Sequence, residues 1–219
     1  MGRAVKKLQA VQGVTFLFSG SPGALLRFVK LILASTSRYR RELLARLGLP
    51  FEVAAPQVDE TPLPGEQPQA LALRLACAKA LNVAANYADA LVIGSDQVAC
   101  CGNQLLGKPG THENATRQLL QLSGREAVFF TALCVHSTVT ARTLHKSVAN
   151  PVWFRTLSPP AIERYLRKEQ PYDCAGSAKS EGLGIALIQK LGGDDPNALK
   201  GLPLIALVDL LREHGLEVP

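Results

Sequence analysis

Short apolar runs alternate with stretches in which apolar residues recur every three or four positions, and this alternation is the first guide to architecture. Leu31-Ile-Leu-Ala suits a buried strand. Ser35-Thr-Ser then leads into Arg38–Leu47, where Leu43, Leu44 and Leu47 share one helical stripe and Gly48 supplies a stop. Phe51–Ala55 predicts a second strand, followed by a Pro-rich loop that carries Val58-Asp-Glu. Pro68 opens a long helix to about Asn86, with Leu71, Leu75, Ala78 and Leu81 as its core face and Arg74 and Lys79 elsewhere. Leu91-Val-Ile-Gly predicts a buried strand ending at Ser95-Asp-Gln, and Thr111 caps a helix to Leu122. Ala127–His136 and Thr143–Leu157, rich in β-branched and aromatic residues, predict strands. Ser158-Pro-Pro starts a helix to Lys168, Gly184–Leu191 predicts a strand, and Gly201-Leu-Pro begins a last helix closed by Gly215. Strands and helices intermix, with adjacent strands in the second half. The expected class is therefore α/β, a mixed sheet with flanking helices.

Composition narrows this picture. The 219 residues are 47% hydrophobic and 19% charged, enough for one domain or two closely packed lobes. No apolar run approaches the roughly 18–20 residues of a membrane span. The net charge of +6 is unevenly placed: residues 1–41 hold eight basic side chains and no acid, whereas the remainder holds 16 basic and 18 acidic ones. A nucleic-acid-binding domain spreads basic residues over a face or groove; here they fall into a tail and a tight cluster after one strand, which suits a small anion better. The five cysteines form no CxxC or zinc-ligand spacing, and their odd number argues against a disulfide framework. Buried thiols in a reducing compartment, the cytoplasm, are expected. Residues 1–28 are expected to form a disordered extension, and 29–219 a single domain. Met1 is the sole Met, and Val29 is one candidate for an alternative start.

Candidate chemistry gathers at few points. A helix N-terminus offers unpaired N–H groups to phosphate, and Ser35, Thr36, Ser37, Arg40 and Arg41 add hydroxyl and guanidinium donors. The same residues equally suit an ordinary N-cap followed by a solvated basic turn. Asp96 ends an apolar strand, where a carboxylate can serve as general base or metal ligand. Asp59 and Glu60 offer further oxygen ligands of the kind Mg²⁺ or Mn²⁺ prefers. Lys79, Lys108 and Lys179 lie next to turns or on the long helix, each read singly as a surface lysine. The four histidines make no motif.

Taken in order, ILASTSRYRRELL, VDETP, RLACAKA, IGSDQV, GKP, CAGSAKSEGLG and GLPLIAL resemble, motif by motif, the Maf family of nucleotide pyrophosphatases. The resemblance covers nearly all of residues 30–215. It implies a mixed α/β fold of two lobes around a deep cleft, with a nucleotide as substrate. It implies that Asp96 is the proton acceptor, that Ser35 and Arg40 bind phosphate, and that Glu60, Lys79 and Lys108 line the cleft. Arg38 stands where the family usually has Pro.

The resemblance also points to Tyr39, Gln97 and Glu181 as the positions that distinguish substrates. A branch acting on dTTP and UTP typically has Arg, Thr and Gln there; a branch acting on 7-methyl-GTP has an aromatic, Gln and Glu, as this chain does. The chemistry agrees, because N7-methylated guanine is a cation that an aromatic face and a carboxylate attract and an Arg would repel. The expected reaction cleaves the α–β phosphoanhydride of 7-methyl-GTP, giving 7-methyl-GMP and pyrophosphate. Asp96 would activate water, alone or with a divalent Mg²⁺ or Mn²⁺ held by Glu60 and Asp96. Ser35, Arg40, Lys79 and Lys108 would hold the phosphates. Alternatives are a dTTP/UTP pyrophosphatase and a non-catalytic nucleotide-binding regulator of cell division. Nucleic-acid and membrane partners are not expected, and the oligomeric state is left open, with a homodimer as one option.

Overall fold

The computed structural model describes residues 14–17 and 26–218, with side chains from Val29 onward. Among the described residues, eight strands form one mixed sheet in the order β1-β2-β4-β6-β7-β8, with β3 paired to β2 and β5 to β4. The first half contains β2 (Leu26–Ala34), β3 (Glu52–Ala54) and β4 (Ala90–Cys101), and β2 runs parallel to both others. The second half is antiparallel: β4 pairs with β6 (Glu126–Ser137), β6 with β7 (Thr143–Phe154), and β7 with β8 (Ile188–Leu191).

Side-chain alternation along the strands decides what covers each face. Leu31, Leu33, Leu91, Ile93, Leu133 and Val135 point one way, onto α1 (Arg38–Ala45) and α5 (Leu204–Glu213). Ile32, Ala34, Val92, Ala132 and Cys134 point the other way, onto α2 (Pro68–Ala84). Beyond Asp96 the same two strands continue into a second core. There Ala99 and Phe129 join Val152, Phe154 and the buried faces of α3 (His112–Leu122) and α4 (Pro159–Glu169). The molecule thus has two lobes that share β4 and β6, with a cleft of about 860 Å³ between them.

Four expectations change. The long helix does not bury Ala78 and Leu81; its inner face is Leu71, Ala72, Leu75, Ala76, Lys79, Ala80, Val83 and Ala84, and Leu81 is 46% exposed. Gly94 explains the rotation. A Cβ there would lie 2.1 Å from the Ala76 carbonyl oxygen and 2.8 Å from the Ala80 nitrogen, so only small residues can meet the sheet at that point. Second, the strand expected to end at Ser95-Asp-Gln runs on to Cys101, because its apolar continuation pairs with β6 from Leu91 to Cys100. Third, the region expected as a strand from Gly184 opens with a 3-10 turn, Leu183–Leu187, leaving only Ile188–Leu191 extended. Fourth, β5 (Gln104–Leu106) folds back on the end of β4, a short hairpin the apolar pattern did not reveal.

The extension expected over residues 1–28 lies largely outside the described residues. Its described parts, β1 (Val14–Leu17) and the start of β2, pair antiparallel, with Val14 opposite Val29 and Phe16 opposite Arg27. All five cysteines are free, with Cys100, Cys101 and Cys134 buried. Among the described residues, no helix is long and apolar enough to cross a membrane.

Because backbone atoms of α2 occupy the space beside Gly94, Gly94→Ala is expected to destabilise the protein by about 2–3 kcal/mol, as overpacking against rigid neighbours does. Chemical denaturation of the two proteins checks this; a change within experimental error would show that α2 is free to retreat.

Candidate functional site

The cleft floor is set by the close approach of α2 to β4. Lys79, on the inner face of α2 and 6% exposed, places its Nζ 2.6 Å from Asp96 Oδ1 and 2.6 Å from Glu60 Oε1. Asp96 sits mid-strand, 7% exposed, with Ser95 and Gln97 on either side. Burial pushes its carboxyl above the ordinary value, against the downward pull of the Lys79 charge and hydrogen bond and of Arg40. Glu60 moves the other way, lowered chiefly by its hydrogen bond to Lys79.

Glu60 lies on an irregular loop that is itself fastened down. Arg74 of α2 grips Glu66 through Nε at 2.6 Å and Nη2 at 2.8 Å and also donates to the Thr61 carbonyl at 3.0 Å. Glu66 Oε2, which takes the Arg74 Nη2 bond, also accepts the Leu63 N–H. Asp59 accepts the Thr61 N–H, so this acid closes the turn rather than facing the cleft floor.

One wall is the entry to α1. Ser37 caps the helix by accepting the Arg40 N–H, and Ser35 Oγ accepts from the Ser37 N–H at 3.2 Å and from Arg40 Nη1 at 3.4 Å. Arg40 Nε donates to the Gly201 carbonyl at 2.9 Å. Burial pushes the guanidinium down from its ordinary value, while Asp96 and Glu60 pull it back up. Ser95 Oγ donates to that same Gly201 carbonyl at 2.9 Å. The Gln97 amide donates to Thr131 Oγ1, Ala198 O and Leu199 O, and Thr131 in turn donates to Ala198 O. A run of main-chain carbonyls from Ala198 to Gly201 therefore anchors Arg40, Ser95 and Gln97. Asp195, 3% exposed, holds this run by accepting the Asn197 and Ile205 N–H groups, the latter at the start of α5.

Another wall is the loop from Ser177 to Gly184. Glu169 accepts from Lys179 Nζ at 2.8 Å and from the Leu183 N–H at 2.7 Å, and a Cβ on Gly182 would strike its carboxylate. Tyr165 Oη donates to Ser177 O and accepts the Lys179 N–H. This loop presents Glu181 to the cleft, which Tyr39 also lines. The Arg38 guanidinium lies over the Tyr39 ring, with Cζ 4.7 Å from its centroid, and Lys179 Nζ lies 6.0 Å from the same centroid.

The nine residues to which the family resemblance points line this one cleft: Ser35, Tyr39, Arg40, Glu60, Lys79, Asp96, Gln97, Lys108 and Glu181; of the other candidates Thr36 and Ser37 line it too, and Arg41, Asp59 and Lys179 do not. Lys108 is exposed there, near enough to Glu60 to lower its carboxyl. Lys79 was expected away from the helix's core face; it is on that face, where the ion pairs with Asp96 and Glu60 compensate its burial. No local pattern marks Thr131, Asp195 or Glu169, or Arg74 as a loop clamp. A Gly inside an apolar strand, at position 94, was the available sign that α2 and its lysine come close.

Asp96 and Glu60 meet at one ammonium, so two hard oxygen donors converge there. That donor set fits Mg²⁺ or Mn²⁺, which commonly take one or two protein carboxylates and complete their shell with substrate phosphates. Among the described residues, no group of three His, Cys, Asp or Glu side chains could hold a metal by itself.

A two-lobed α/β fold whose cleft is lined by Arg40, Lys79 and Lys108 beside Asp96 and Glu60 defines a site for a polyanionic small molecule. The model of the family described as Maf-like protein matches residues 30–214, and the chain belongs to the Maf family. A relative from Nitrosococcus oceani, named 7-methyl-GTP pyrophosphatase, is 59% identical over 190 residues, covering 86% of this chain and 94% of its own length. Relatives of the same name from Methylobacillus flagellatus and Thiobacillus denitrificans are each 58% identical over 188 residues. Both alignments cover 86% of this chain, and they span 98% and 94% of the respective relatives.

The Arg74 hydrogen bond, aided by the Leu63 N–H, pulls the Glu66 carboxyl down to about 2 from its ordinary 4.5. A depressed carboxyl stabilises the fold fully above the ordinary value, and that stabilisation is lost as pH falls toward the depressed one. Protection of the Leu63 amide from hydrogen exchange, corrected for intrinsic rate, is therefore expected to decline between pH 4.5 and about 2. In Glu66→Gln it should be low throughout; equal protection in both proteins would remove Glu66 as the clamp.

Proposed function

We propose that this chain hydrolyses 7-methyl-GTP at the α–β phosphoanhydride, releasing 7-methyl-GMP and pyrophosphate. The observation that carries the reading is the convergence of buried Asp96 and Lys79 with Glu60 on the floor of a cleft that Arg40 and Glu181 also line. The names of the similar relatives support the same substrate.

In this reading Asp96 accepts a proton from the attacking water. Oxygen adds to the α-phosphorus, the bond to the bridging oxygen breaks, and pyrophosphate leaves. Desolvation raises the basicity of Asp96, and the Lys79 ammonium keeps the ionised form accessible in spite of it. Arg40, Lys79 and Lys108 face the triphosphate, neutralising charge and fixing its position, while the Ser35 hydroxyl adds a donor. A divalent cation held by Glu60 and Asp96 would supply further charge neutralisation at the phosphate oxygens.

At the base end, Tyr39 offers its ring to the cationic purine. Gln97 has both amide hydrogens committed to Thr131 and the 198–199 carbonyls, which leaves its Oε1 as an acceptor. Glu181 is an acceptor too. Two acceptors complement the N1–H and N2–H donors of a guanine. The protein would act in the cytoplasm and needs no nucleic-acid partner; its basic residues are too localised for one.

Product analysis with 7-methyl-GTP, GTP, dTTP and UTP is expected to show pyrophosphate and monophosphate, fastest from 7-methyl-GTP. Equal or faster turnover of dTTP would overturn the substrate assignment, and nucleotide binding without any turnover in Mg²⁺ or Mn²⁺ would favour a regulator. Asp96→Asn is expected to lower kcat by about 10²–10⁴-fold, the usual contribution of a positioned base. The acid limb of kcat/KM in the native enzyme should lie above the ordinary Asp range, activity rising with pH as Asp96 ionises. Persistence of that limb in Asp96→Asn would assign it to another group.

A further inference from the structure

Tyr39 already carries a cation. The Arg38 guanidinium lies over its ring at 4.7 Å, and the same group donates through Nη2 to the Tyr39 hydroxyl at 2.8 Å. Lys179 also approaches the ring, but its ammonium is tethered by Glu169 at 2.8 Å and faces the ring from 6.0 Å. Arg38 is exposed, and Tyr39 is its only hydrogen-bond partner among the described residues. Glu42, one turn along α1, and Asp173, on the cleft wall, are both near enough to act on its charge.

We propose that Arg38 is a specificity-determining residue: by occupying the electron-rich face of Tyr39 it weakens the preference of the site for a positively charged base over a neutral one. This rests on the reading of Tyr39 as the base-binding residue. The repulsion arises for either way of entry. If the base takes the face that Arg38 covers, the guanidinium must shift toward Glu42 or Asp173, yet its charge stays within the cleft. If the base takes the other face, one ring quadrupole is shared by two cations that repel each other. A neutral guanine meets neither repulsion. Both bases share the cost of moving the side chain and any benefit its charge brings to the phosphates. A ratio of the two substrates cancels those shared contributions and isolates the repulsion.

The experiment measures kcat/KM for 7-methyl-GTP and for GTP at mildly acidic pH, where N1 of the methylated base keeps its proton and the base its charge. Arg38→Ala is expected to raise the ratio of 7-methyl-GTP to GTP by about three- to ten-fold, within the range of a single cation–π contact. The gain should appear mainly as a lower KM for 7-methyl-GTP. Arg38→Lys keeps the charge and should leave the ratio near that of the native enzyme. An unchanged or lower ratio in Arg38→Ala would overturn the proposal, as would an equal rise in Arg38→Lys. Tyr39→Leu tests the underlying reading separately: an unchanged ratio in that variant would remove Tyr39 as the base-reading residue, whatever Arg38 does.

Discussion

Everything in the cleft depends on how near α2 can come to β4. At Gly94 the helix backbone occupies the space that a side chain would need, and Ala76 and Ala80 keep the contact thin on the other side. This approach delivers Lys79 to Asp96 in a place where both are nearly dry, with side-chain exposures of 8% and 10%. Such a pair is a poor stabiliser: desolvation costs several kcal/mol per ion, and replacing both partners by apolar residues is often neutral or favourable. Removing one partner alone costs about 3–5 kcal/mol, because it strands the other charge. The pair therefore makes sense as chemistry held in place by packing, since a buried carboxylate with raised basicity and a fixed cation beside it are what a hydrolytic site needs.

The same two strands serve both lobes. On the Leu91 side of Asp96, β4 and β6 are sandwiched between α2 and the α1/α5 layer; beyond it they line the core shared with α3 and α4. Asp96 and Gln97 lie at the changeover, Asp96 against Lys79 of α2 and Gln97 against the 198–199 carbonyls. The cleft is the gap left between two separately packed cores, and its floor is as rigid as the ladder that pairs β4 with β6 over ten positions. Its walls are loops, and each has a dedicated carboxylate holding it: Glu66 for the Glu60 loop, Asp195 for the 198–201 carbonyls, Glu169 for the Glu181 loop.

Much of this was legible in the sequence. The apolar runs at residues 31–34 and 91–94 and the helical stripes of α1 and α3 follow directly from hydrophobic period, and the ordered motifs name the cleft residues. The inner face of α2 was not legible in the same way. Leu81 fits a helical apolar stripe better than Lys79 does, and the close approach at Gly94 together with the ion pairs to Asp96 and Glu60 reverses that preference. The continuation of β4 past Asp96 was hidden because polar Ser95, Asp96 and Gln97 interrupt the apolar run, although their partners on β6 and in the 198–201 segment satisfy them. Asp195 and Glu169 bond mainly to backbone groups brought together by the fold, and no local spacing announces such contacts.

The anchoring of Arg40, Ser95 and Gln97 to main-chain carbonyls has a further meaning. A carbonyl oxygen is common to all amino acids, so the identity of the residues at 198, 199 and 201 matters to these bonds only through the path of the backbone. Substitutions along that segment can drift without disturbing the anchor, provided that Gly201 keeps its left-handed turn at φ 100°. A single inserted or deleted residue would shift every acceptor out of register at once. The segment is thus tolerant in spelling and strict in length.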